Sequence, residues 1–105
     1  FIGVQLMNLT PQLAREINAT NSACTVPELN GVLVKEVVKG TPAAAAGIRQ
    51  CDLILKVENK PVQTPTEVQL AVDRGQVGEP MQLTLQRNGK ELIVQVRPRE
   101  LPRNN

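Results

Sequence analysis

Residues 81–96 read MQLTLQR, then Asn88-Gly89, then KELIVQV. Both arms alternate apolar and polar positions. An Asn-Gly pair between two such arms is the strongest short-range signal for a β-hairpin, because both turn positions need positive φ. A closing antiparallel hairpin argues against a doubly wound parallel sheet.

Reading backward from the hairpin, TPTE (64–67) predicts a helix start. Thr64 is the N-cap, Pro65 the first helical residue and Glu67 the reciprocal partner of a capping box. The helix runs to about Arg74 with Val68, Ala71 and Val72 as its apolar stripe, and Ala71 packs inward. DLILKV (52–57) reads as a buried strand, followed by a turn at Glu58-Asn59-Lys60 and an extended piece at Pro61-Val62. GTPAAAAGI (40–48) predicts a short helix, capped by Thr41, opened by Pro42 and closed by Gly47. VLVKEVV (32–38) is a strand with Val32, Val34 and Val37 turned to the core. Thr10-Pro11 begins a first helix with Leu13, Ala14 and Ile17 on one face. Residues 18–31, rich in Asn, Thr and Ser, read as a loop, and Gly3–Met7 as a first strand.

The expected class is α+β: a five- or six-stranded, partly open β-barrel or sandwich capped by two or three short helices. With 105 residues the chain has room for one domain. We place it at 1–97, with 98–105 (PRELPRNN) as a polar tail or linker. The chain starts without Met, so it reads as a mature or excised piece.

Composition removes several function classes. A net charge of +2 with one Phe and no Tyr or Trp is a poor basis for nucleic-acid binding. No apolar run approaches the length of a membrane span. There is no histidine, so Ser-His and Cys-His nucleophile pairs are excluded. Ser22 is the only serine and lies in the 18–31 loop. The acidic residues are scattered, mostly on expected solvent faces and turns. Cys51, beside Asp52, has no expected electropositive setting. Cys24 and Cys51 lack metal-ligand spacing. A disulfide between them needs Cα atoms within about 7 Å, and two unpaired thiols is the preferred reading. Catalytic residues, cofactor and metal are all expected to be absent.

What remains is binding, and FIGVQLM (1–7) is the best candidate. A glycine at the head of a strand lets neighbouring backbone N–H groups turn toward an anion. The following residues offer a strand edge, and a helix stripe supplies the opposite wall. That arrangement fits β-augmentation with capture of a terminal carboxylate. The competing reading is a plain edge or core strand.

Phe1-Ile2-Gly3-Val4 resembles the Tyr-Ile-Gly-Val carboxylate-binding loop of PDZ domains in the HtrA/Deg serine protease family. Residues 32–62, VLVKEVVKGTPAAAAGIRQCDLILKVENKPV, resemble the family's long signature, and the hairpin at 82–96 also fits. The likeness spans about 1–97, and its wording is most like that of cyanobacterial members. A loop placed before everything else matches the circularly permuted order of bacterial PDZ domains. Phe1 stands where the family usually has Tyr, and Cys51 where it usually has Gly.

The resemblance implies that the amides of Ile2, Gly3 and Val4 bind a peptide's C-terminal carboxylate. Val4, Gln5, Leu6 and Met7 would pair with the peptide, and Ile2, Val4, Leu6, Val68 and Val72 would form the pocket for its last, small or aliphatic side chain. It further implies capture of the ends of unfolded or misassembled proteins, regulating or feeding a protease domain elsewhere in the same chain. The alternative is a docking domain that controls assembly without binding free peptide. The isolated piece is expected to be monomeric and the parent a homo-oligomeric serine endopeptidase. The setting implied is extracytoplasmic: periplasm, or thylakoid lumen or cell envelope in a cyanobacterium. Such a setting permits a disulfide.

Overall fold

The computed structural model describes residues 1–20 and 24–100. Ser22 lies outside the described residues. Six strands and three helices follow in the order β1 (Val4–Leu9), α1 (Pro11–Thr20), β2 (Gly31–Val37), α2 (Pro42–Ala46), β3 (Leu53–Val57), β4 (Lys60–Pro61), α3 (Pro65–Arg74), β5 (Met81–Arg87) and β6 (Lys90–Val96). The strands form one antiparallel sheet in the order β1-β2-β3-β5-β6, with β4 added beside β3. The sheet does not close, so β1 and β6 are its two rims.

Local chemistry explains most boundaries. At the hairpin, Asn88 (φ 51°) and Gly89 (φ 78°) both take the left-handed region, as a two-residue turn matched to strand twist requires. Thr41 caps α2 and Gly47 closes it in the left-handed conformation. At α3, the Thr64 hydroxyl accepts from Glu67 N–H at 3.1 Å, while the Glu67 carboxylate reaches back to the Gln63 amide at 3.3 Å. The first bond satisfies a donor that a helix start otherwise leaves unpaired; the second goes to the residue ahead of the cap rather than to the Thr64 N–H that the capping box predicts.

The sheet carries a core on each face. One side packs Val32, Val34, Ile54, Leu83, Leu85 and Val96 against Val68 and Val72 of α3 and Ala43 of α2. The other packs Leu9, Leu33 and Leu53 against Ala14 of α1 and Val26, with Leu13 and Ile17 partly buried beside them. Leu33 and Leu53 alternate with Val32, Val34 and Ile54, so successive residues of β2 and β3 serve opposite cores.

Four expectations need correction. The first helix runs through Thr20, so residues 18–20 of the expected loop are helical. It gains an anchor there: the Asn18 amide pairs with both backbone groups of Val26, at 2.8 and 2.9 Å, like a missing peptide unit. Cys24 and Cys51 are joined in a disulfide, their Cα atoms 5.6 Å apart. Spacing along the chain could not reveal this, because 27 residues separate them and the fold brings them together. Asp52 is no surface acid but is 1% exposed, with its carboxylate forked against Arg87 at 2.8 and 2.7 Å. Its Oδ2 also accepts from Arg49 N–H, and Arg87 donates on to the Gly47 carbonyl. The Arg87 pKa is raised, chiefly by the hydrogen bond to Asp52. Finally, Arg49, Arg87 and Cys51 line one cavity, so the surroundings of Cys51 carry two cations as well as Asp52.

Cys51 itself has φ 76°. A left-handed turn is thus made here by a residue with a β-carbon.

Candidate functional site

The site is built from the three residues ahead of β1. Three successive carbonyls are pinned to the protein body. Phe1 C=O accepts from Arg99 N–H at 3.0 Å, Ile2 C=O from Ala43 N–H at 2.8 Å, and Gly3 C=O from Val38 N–H at 2.9 Å. None of the described peptide bonds is cis. In a planar trans peptide the N–H that follows points opposite to the carbonyl. The amides of Ile2, Gly3 and Val4 therefore point away from these inner partners. Ile2 and Gly3 are buried. Yet among the described residues neither amide donates to a backbone or side-chain acceptor.

Gly3 makes this geometry possible. Its φ is 90°, and an added β-carbon would lie 2.3 Å from the Thr41 β-carbon. Thr41 is fixed in turn, its hydroxyl donating to the Val38 carbonyl at 2.7 Å and accepting from Ala44.

The edge of β1 follows from its register. Val4 faces Val37, and Val38 N–H reaches Gly3 C=O across the pair. This is the bonding of a non-hydrogen-bonded pair, so the polar groups of Val4 face the free rim. Alternation puts those of Leu6 on the rim and those of Gln5 and Met7 in the β2 ladder. Val34, opposite Leu6, gives its N–H to Asp52 and accepts from Cys51. Its polar groups are thus turned to β3, which agrees. A bulge at Lys35 shifts the register between these pairs. Of the four residues expected to pair with a peptide, Val4 and Leu6 have backbone groups free to do so.

Helix α3 runs alongside this rim. Phe1, Ile2, Gly3, Val4, Leu6, Val68, Gln69 and Val72 line a cavity of about 50 Å³ between them. The five residues expected to form a pocket are all brought together here. Phe1, Gln69 and Gly3 are additional. Gln69 follows Val68 on the helix and shows no apolar periodicity to betray it; its amide donates to Asp73 at 3.0 Å. The Arg99 guanidinium lies 5.6 Å from the centre of the Phe1 ring, within cation–π range. Among the described residues no helix is long and apolar enough to cross a membrane.

An open antiparallel sheet with a glycine-headed rim strand facing a helix is the architecture of a PDZ domain. The family model described as "PDZ domain" matches residues 1–97, and the chain belongs to that family. It is 36% identical over 102 residues to HhoA of Synechocystis sp., covering 96% of this chain and 26% of the relative. Human serine protease HTRA3 is 32% identical, with 93% of this chain and 21% of the relative covered. The chain thus spans about a quarter of the length of these relatives. Among solved structures, the HtrA3 PDZ domain bound to a phage-derived ligand (FGRWV) superposes with TM-score 0.76 at 31% identity, covering 93% of this chain and 84% of that one. The HtrA-type protease AlgW with a decapeptide gives TM-score 0.85 at 24% identity, covering 99% and 30%, and shows the fold. Its family relations are therefore with PDZ domains of HtrA-type proteases.

Proposed function

We propose that the chain captures the C-terminal ends of extended polypeptides. The observation that carries this is the pair of unpartnered amides of Ile2 and Gly3, on two residues that line a largely apolar cavity. An anionic terminus there accepts from Ile2, Gly3 and Val4, each bond to a charged acceptor contributing roughly 1.5–3 kcal/mol. The peptide's last residues then add to the rim of β1 through Val4 and Leu6.

The cavity sets the preference. A water takes roughly 10–15 Å³ of such space, so about 50 Å³ suits three or four heavy atoms. Ala, Val, Leu and Ile ends, with one to four side-chain carbons, fit; larger ends need an opening of α3. The HtrA3 ligand FGRWV ends in valine, which supports this reading. Affinity is about micromolar, because a short flexible peptide must be ordered on a small surface.

In a longer HtrA-type parent, this module presents ends of unfolded or misassembled proteins to a serine protease domain of the same chain. The Cys24–Cys51 disulfide supports an oxidising, extracytoplasmic setting. The test is calorimetric titration with a short peptide ending in Val, free and amidated. The free acid is expected to bind at least tenfold tighter; equal affinities would sink carboxylate capture.

A further inference from the structure

The opposite rim of the sheet offers a second site. Arg87 and Lys90 flank the two-residue turn, and each later pair steps by one residue on each strand. In such a hairpin the turn-flanking pair is hydrogen-bonded and alternate pairs are not. The backbone groups of Glu91, Ile93 and Gln95 therefore face away from β5, along the free edge of β6. Gln82, opposite Gln95, confirms the phase: its carbonyl accepts from Glu58 on the β3 side. Past the end of β6, the Pro98 carbonyl accepts from Gly78 N–H, so the Arg99 N–H of the same peptide points the other way, where it donates to the Phe1 carbonyl.

Beside this edge lies a cleft of about 880 Å³ between β6, the turn at Val77-Gly78 and α2. Its floor on the α2 side is Ala44, Ala45 and Ala46, small enough for a backbone to approach closely. Its charged lining residues are Arg97 and Arg99, with no acid among them. Arg97 donates through Nη1 to the Gly78 carbonyl at 3.0 Å, which holds the side chain while leaving its other donors unused. Ile93 is 60% exposed and Val77 58%, large apolar side chains bordering the same rim. A free edge, a small-residue wall and two cations two residues apart suit an extended segment with acids at alternate positions, since side chains two apart share one face of a strand.

We propose that the outer edge of β6 and the cleft beside it form a second strand-addition site, which takes an extended acidic segment of a partner protein. The site needs no terminal carboxylate; it lies on the far rim from β1 and adjoins the first groove only where Arg99 meets Phe1. The probe is acetyl-VEVEVEV-amide, blocked at both ends, titrated into the 15N-labelled full chain at low salt. Saturable amide shifts are expected at Ile93, Gln95, Arg97, Arg99 and the α2 alanines. Arg97→Glu should weaken binding at least tenfold. Gln95→Pro, which removes an N–H that β5 does not use, should abolish it. Both variants should still bind a Val-terminated peptide, which shows that they remain folded. The lysine counterpart acetyl-VKVKVKV-amide should not bind. Saturable shifts confined to β1 and α3 would place the probe in the first groove and overturn the proposal. So would no saturable shift, equal binding of the lysine peptide, or β6 shifts that depend on protein concentration alone, the mark of a second copy on the edge.

Discussion

The Thr41 β-carbon stands 2.3 Å from the place a β-carbon on residue 3 would occupy. Thr41 cannot retreat freely, because its hydroxyl is tied to Val38 and Ala44. Gly3→Ala therefore combines a steric collision with a left-handed φ that costs an L-residue roughly 1–2 kcal/mol. We expect a stability loss of at least ~2 kcal/mol by urea denaturation and loss of Val-terminated peptide binding. Adding Thr41→Gly should relieve the collision. The double variant is thus expected to lose less than the sum of the two single ones.

Val72 is 3% exposed on α3 and lines the small cavity. Val72→Ala should enlarge that space and cost about 1–3 kcal/mol of stability. Peptides ending in Leu or Phe should gain relative to those ending in Val. A panel differing only in the last residue, measured on both proteins, reads this directly; an unchanged order would separate Val72 from ligand choice.

The disulfide closes a loop of 27 residues that contains β2 and α2. The chain-entropy estimate for such a loop is about 3–4 kcal/mol. Cys24→Ser with Cys51→Ser should lower stability by that order. Because Cys51 sits at φ 76°, Cys24→Ser with Cys51→Gly should recover roughly 1 kcal/mol of it. Denaturant melts of the three proteins under one buffer decide the point.

Asp52 is buried and carries three hydrogen bonds from Arg49 and Arg87. Asp52→Asn keeps the shape but removes the charge and misplaces a donor against arginine. A loss of about 2–3 kcal/mol is expected, smaller than for a fully buried pair because the Arg87 side chain is 25% exposed. The variant should unfold at lower urea with an unchanged slope.

What could be read in the sequence was whatever short-range chemistry dictates. Thr64, Pro65 and Glu67 announce a helix start within four residues, and Asn88-Gly89 fixes a turn and the phase of both its arms. Residues meeting across the fold left no such trace. Cys24 and Cys51 have nothing between them that states their distance. Asp52 was invisible as a buried acid because its partner Arg87 is 35 residues on. The expected site residues combined both kinds of information. Gly3 shows in the local pattern, whereas Gln69 enters the cavity only because α3 lies alongside β1.

Phe1, Ile2 and Gly3 are fastened by their carbonyls to three separate parts of the molecule: the segment after β6, helix α2 and the end of β2. On the proposed reading, a loop held at three points meets its peptide already shaped. The disorder lost on association is then almost wholly the ligand's own. Stiffening the peptide, by a ring or a well-placed proline outside the paired positions, will tighten the complex more than any further bracing of the domain.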